Sequence, residues 1–183
     1  MAAIRLTPTI ILVPRHDWKA RQWSSYTYQS AAREMFLHHS TDRLAEHVDT
    51  LAEQGAMCRA IQRYHMDSNG WDDIGYHYLV FQAYGSRKYA RIFEGRPMTH
   101  VPAAQLNHNT STIAVCVFGN FDHDDTVKRN TRHAIEVLIN TRVMPFGVRT
   151  IGGHRDVVST ECPGDTLYKQ IPQIAVATGM QRI

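Results

Sequence analysis

The sequence predicts an α/β domain built on a central mixed β-sheet flanked by helices. Three observations carry that reading. Apolar runs of strand length alternate with longer stretches whose apolar residues recur at three- and four-residue steps. Two aromatic-rich runs around a glycine turn read as a hairpin, and one hairpin within an otherwise alternating order makes the sheet mixed. The chain has 183 residues, 43% of them hydrophobic and 20% charged. That suits a single domain over 1–183, with a core that needs no disulfide staples.

In chain order, residues 9–13 read as a short strand ended by Pro14, and residues 34–38 as a second strand. Asp42 stands where it can cap the following helix. In that helix Leu44, Val48, Leu51, Cys58 and Ile61 form one apolar stripe, and the turn cluster Ser68, Asn69, Gly70 ends it. The hairpin strands are 75–82 and 88–94, around Tyr84, Gly85 and Ser86. Residues 95–112 form a polar loop, and a loop this long in a compact domain is often functional. Residues 113–118 read as a buried strand and 124–141 as a second amphipathic helix. Residues 148–152 read as a short strand and 166–177 as the final helix.

The net charge is +3 and the pI about 8.8. Mild basicity without a run of five like charges suits an anionic polymer such as a cell wall and does not argue for nucleic acid. No apolar run approaches the ~18 residues of a membrane helix, so no membrane insertion is expected. Residues 1–8 lack a basic segment followed by a long apolar stretch, which leads to the expectation of synthesis in the cytoplasm without a signal peptide. Three widely spaced cysteines argue against a disulfide framework. Cys58 and Cys116 fall in helical and strand patterns and read as small buried hydrophobes. Cys162 lies in a polar loop between Glu161 and Pro163, where packing gives it no reason to be.

His38, His154 and Cys162 make two imidazoles and a thiolate, three legs of a zinc tetrahedron. A structural zinc site closes with four protein ligands, whereas a catalytic one keeps three and leaves the fourth position to water. His38 is in phase with Phe36, and its neighbour His39 points to the other strand face. His154 and Cys162 are too irregularly placed for one helix face, but a loop can fold them onto one metal. Spacing alone leaves His65, His77, His100 and His108 as rival ligands. The His-Glu-x-x-His helix of zinc proteases is absent.

Several ordered motifs converge on one family. Residues 61–80, from Ile61 through Gly70, Trp71, Gly75 and Tyr76 to Val80, resemble the central signature of the peptidoglycan recognition proteins, a family that includes phage amidase-type lysozymes. Residues 14–21, with Arg15 and Trp18, resemble its N-terminal segment, and residues 36–41 its first metal strand. Residues 93–96 resemble the end of its hairpin. Residues 109–115 and 119–121 resemble its Asn-x-x-Ser-Ile-Gly-Ile and Gly-Asn-Phe motifs. Residues 153–157 with 160–165 resemble its last metal loop. The resemblance spans about residues 13–170.

The resemblance implies a type 2 zinc N-acetylmuramoyl-L-alanine amidase. It assigns one Zn2+ to His38, His154 and Cys162, catalytic roles to Tyr76 and Thr160, and substrate contacts to Asn109 and His39. Peptidoglycan is the implied partner of a monomeric enzyme, and cell-wall lysis of the phage endolysin kind the implied outcome, after release from the host cytoplasm. Family members that bind peptidoglycan without cleaving it commonly lack the cysteine, so Cys162 favours catalysis over the alternative, a recognition module without turnover. In one place the chain departs from the pattern: the family's loop histidine, a substrate contact, falls on Ala104. No Glu stands at the Tyr76 position, where another branch of these amidases places one, so zinc-bound hydroxide by itself, Glu161 as relay and a second histidine as relay all stand open.

Overall fold

A strand with no polar face has to be covered on both sides. Thr112–Val117, buried at every residue, accordingly lies inside the sheet rather than at its edge. The computed structural model describes residues 3–42, 48–82, 89–122 and 126–183. Among these, eight strands form one sheet: β1 (Ile4–Thr7), β2 (Ile10–Val13), β3 (Glu34–His39), β4 (Tyr78–Phe81), β5 (Ala90–Glu94), β6 (Thr112–Val117), β7 (Thr150–Gly153) and β8 (Gln181–Arg182). Their order is β1-β2-β5-β4-β6-β3-β7-β8. The run from β4 through β6, β3 and β7 to β8 is parallel, and β5 is antiparallel to β4. The expected mixed sheet is therefore present.

Helices α1 (Leu51–Arg63), α2 (Arg129–Leu138), α3 (Asp165–Tyr168) and α4 (Ile171–Thr178) cover it. On one face Leu37, Val80, Ile92 and Val115 pack with Ile135 and Leu138 of α2 and Ile174 of α4. On the other, Leu79, Phe81, Phe93 and Phe118 pack with Trp18 and with Cys58 of α1.

Several expectations shift. The cap of α1 is Thr50: its hydroxyl accepts from the Glu53 amide, and the Glu53 carboxylate accepts from the Thr50 amide; residues 43–47, which Asp42 would cap, lie outside the described residues. Leu51 is 39% exposed, and the buried residues of α1 are Gln54, Gly55, Cys58 and Gln62. The helix thus docks partly through small and amide side chains, not through an aliphatic stripe. Gln62 explains why: its amide exchanges hydrogen bonds with the Arg21 backbone at 2.8 and 2.9 Å and donates to Asp73 at 2.6 Å. The final helix divides into α3 and α4, because Pro172 lacks an amide hydrogen and its ring crowds the preceding turn. Past α2 the chain continues as a π-helical turn, Ile139–Val143. Leu44, Tyr84, Gly85, Ser86 and Asp124 lie outside the described residues.

Candidate metal centre

In open α/β sheets, ligand sites gather at the carboxyl ends of parallel strands. His38 occupies that end of β3, in register with Cys116 of β6 and, one strand further, Leu79 of β4. Alternation along β3 turns Leu37 to the α2 face and His38 to the opposite one. His154 follows directly on β7, so its place is set by the same sheet end. Cys162 returns to that end through the loop after β7, whose Arg155 amide donates to the Cys162 carbonyl at 2.9 Å.

The ligand atoms of His38, His154 and Cys162 all lie within 4.8 Å of one another. Cys162 Sγ stands 3.7 Å from His38 Nδ1, and the two imidazole centroids are 4.5 Å apart. A sulfur and a nitrogen on one tetrahedral zinc stand roughly 3.5 Å apart, given the usual Zn–S and Zn–N lengths. Nε2 of His154 is buried with no hydrogen-bond partner, an uncommon expense unless something else meets the ring, while His38 turns its Nδ1 to the Cys162 sulfur. The residues therefore fit a zinc ion.

Burial, then the neighbouring His154, holds His38 well below the usual histidine range. Burial, then His39, lowers His154. Both rings are thus neutral, the form that offers a lone pair. Burial pushes the Cys162 thiol up to about 12, against a hydrogen bond from the His39 backbone. Without a cation the sulfur keeps its proton, and a metal entering the site displaces it.

Tyr76 lies just before β4 with its ring 5.3 Å from that of His38. Burial, with Cys116 and Cys162 adding to it, raises its phenol well above the ordinary tyrosine value, so it remains a donor. The Thr160 hydroxyl accepts from the Cys162 amide at 3.2 Å, which braces the ligand loop and leaves one hydroxyl hydrogen to give. His39 faces away from the trio. Its Nδ1 accepts from the Phe121 amide at 3.4 Å, and its Nε2 lies 3.9 Å from Asp122. The Asn109 carboxamide oxygen accepts from the amides of Ala104 and Gln105 at 3.0 and 2.9 Å, shaping the 95–111 loop. Glu161, one of the relay candidates, is 87% exposed beside Arg155 and stands out of the site.

The four rival histidines are placed elsewhere. The His77 ring is buried between strands, accepting from the Ala114 amide at 3.0 Å and donating to the His100 carbonyl at 2.9 Å. His100 stacks on Tyr26 at 3.7 Å, and His108 is exposed. His65 is no ligand, yet it extends the site. Its Nδ1 accepts from the Gly75 amide at 3.0 Å, and its ring lies 5.6 Å from Tyr76 and 4.6 Å from Trp71. Trp71, Tyr76 and His38 thereby line up along a wall of rings that runs from the surface to the ligands. The sequence signal for this wall was Trp71 itself, a large aromatic inside a polar turn.

The N-acetylmuramoyl-L-alanine amidase family model matches residues 28–165. The chain is similar to Peptidoglycan-recognition protein SC1a of Drosophila melanogaster, 31% identical over 169 residues that cover 88% of this chain and 84% of that one. It is also similar to a human N-acetylmuramoyl-L-alanine amidase, 36% identical over 116 residues, 62% of this chain and 19% of that much longer protein. Among solved structures, bumblebee PGRP-SA superposes with a TM-score of 0.76 at 29% identity, covering 91% of this chain and 95% of its own. The likeness thus holds in sequence and in fold, and the chain belongs to the N-acetylmuramoyl-L-alanine amidase family.

Proposed function

We propose that the protein is a zinc-dependent amidase that hydrolyses the amide between N-acetylmuramic acid and L-alanine in peptidoglycan. The observation that carries the reading is the convergence of His38, His154 and Cys162 within 4.8 Å, with the Tyr76 ring beside them. Zinc in that position supplies Lewis acidity toward the scissile carbonyl and activates water near neutral pH. The chain's own residues do the rest. His38 and His154 present neutral donors. Tyr76 keeps its proton and donates a hydrogen bond to the oxyanion as the amide is attacked, a contribution of about 3–4 kcal/mol for one such donor. Thr160 steadies the Cys162 backbone. Trp71 and His65 offer flat faces along which a muropeptide lies.

The same reading extends to a wall-lytic enzyme of the endolysin kind, made in a host cytoplasm and acting after release; a net charge of +3 supports its adsorption to an anionic wall. A recognition module that binds wall without turnover is the second reading, favoured by the name of the Drosophila relative. Amine release from purified peptidoglycan, with and without a chelator, separates the two. The amidase releases new L-alanine amines, loses that activity to the chelator and regains it with added zinc. Release that survives complete zinc removal sinks the metalloenzyme, and wall binding without release establishes the module.

A further inference from the structure

Two of the three ligands, His154 and Cys162, sit on one loop, while His38 belongs to a rigid strand. The stiffness of the 154–162 loop therefore sets how well the trio is held before a cation arrives. Within the loop Arg155 does much of the tying: its guanidinium donates to the Glu161 carbonyl and pairs with Asp165 at 2.7 Å. Asp156 does the rest from the other side, its Oδ2 accepting from the Gly153 amide at 2.8 Å.

These ties end on one side chain from α3. The Tyr168 hydroxyl donates to Asp156 Oδ1 at 2.5 Å, and it accepts from the Arg182 guanidinium. Two guanidiniums stand over the Tyr168 ring, Arg155 at 4.9 Å and Arg182 at 4.7 Å from its centroid. Arg182 belongs to β8, which is pinned to β7 by backbone bonds from Gln181 to Arg149 and from Ile183 to Ile151. Gly153 is part of the same design. A Cβ there would stand 2.8 Å from both the Tyr168 ring and Pro163, so only glycine lets the ring reach the strand end that carries His154.

We propose that Tyr168, clasped by Arg155 and Arg182, is a positioning residue for zinc, and that β8 acts as a strap that holds the two-ligand loop in its metal-ready shape. The inference rests on the zinc reading above. Outer-shell partners of this kind commonly change metal affinity by about 10–100-fold.

The test is the rate at which the zinc-loaded full chain gives up its metal to a chromogenic chelator. Tyr168→Phe keeps the ring under the guanidiniums and deletes only the hydroxyl. Arg182→Ala removes the strap. Arg132→Ala, which loses a surface contact to Gln173 on the α2 side, is the control. The expected result is release at least about tenfold faster in Tyr168→Phe and Arg182→Ala and unchanged in the control. Unfolding midpoints of the metal-free Tyr168→Phe and control proteins should remain alike. Release within about twofold of the unaltered protein in both variants overturns the strap. So does faster release matched by an equal loss of metal-free stability, which is the mark of a merely structural role. An unaltered chain that takes up no zinc overturns the metalloenzyme reading and the strap together. Retained zinc with unchanged variants overturns the strap alone.

Discussion

Two buried polar clusters lie on either side of Tyr76, and they are built to opposite rules. Behind it, Asp73 is 1% exposed and fully engaged. It accepts from Arg15 at 2.8 Å, from Gln62 at 2.6 Å and from the Ile74 amide at 2.7 Å. Arg96 closes the same region by donating to the carbonyls of Asp73, Ile74 and Val101. In front of it, the ligand atoms of His38, His154 and Cys162 gather within 4.8 Å of one another, His154 keeps a buried Nε2 without a partner, and the Cys162 thiol is pushed far from ionisation. The rear cluster is completed by the chain itself and secures the loop that carries Tyr76. The front cluster gathers three metal-type donor atoms that the chain does not pair off among themselves as completely. Satisfied burial here serves stability, and the donor-rich cluster is the one whose residues fit a metal.

The comparison breaks first at Cys162. Cys162→Ser should abolish zinc retention and reduce amine release to background, while denaturant unfolding of the metal-free protein remains cooperative. A variant that keeps zinc and activity would erase the distinction. The reverse experiment is Asp73→Ala, which leaves the Arg15 guanidinium facing an emptied site. Breaking a buried pair of this kind costs about 3–5 kcal/mol, read as a lower urea midpoint, with zinc affinity of the folded fraction unchanged.

Tyr76→Phe probes the boundary. Loss of the donor should lower kcat by about 100-fold or more with zinc retention and KM little altered. A fall in zinc affinity instead would move Tyr76 from the reaction to the ligand framework.

An effect that vanishes at neutral pH comes from His77, just after Tyr76 and wholly enclosed. Burial, only partly offset by its hydrogen bond to the His100 carbonyl, lowers it to about 3 from 6.5. Between those values the unfolded chain binds a proton that the folded chain does not. The stability contributed by the neutral ring is therefore complete above pH 6.5 and is lost as pH falls toward 3, at up to about 1.4 kcal/mol per pH unit. His77→Gln supplies a donor and an acceptor without titrating, so its plot of stability against pH should be flatter over that window. A parallel plot would assign the acid sensitivity to other groups.

Much of the front cluster was legible in the linear sequence. Two imidazoles and a loop cysteine with no packing purpose form a donor set with a chemistry of its own, and the motif order around them indicated a family. What spacing could not do was reject His65, His77, His100 and His108, because a ring's partners are decided by strands far away in sequence. His77 is consumed by Ala114 and His100, and only the folded sheet brings those atoms to it. The Thr50–Glu53 capping box is a local signal, four residues that mark the start of α1 by themselves. The buried face of α1 was harder to read, since Gln54 and Gln62 carry no hydrophobic signal and are internal only because distant backbone and Asp73 receive them. Strands β1 and β8 are harder to read because both are short and partly or wholly exposed: Ile4 and Leu6 alternate over only four residues, and β8 has two polar ones.

Read alone, the chain settles its fold class and, through its ordered motifs, the family they imply and the donor set that family suggests, because alternation, helical spacing and motif order are local properties of residue type. Which histidine faces which strand, how Asn109 and Thr160 spend their polar atoms, and the clasp of Arg182 on Tyr168 were decided by the tertiary structure. Those are matters of long-range register, where a strand pairing places side chains against partners that no local pattern specifies.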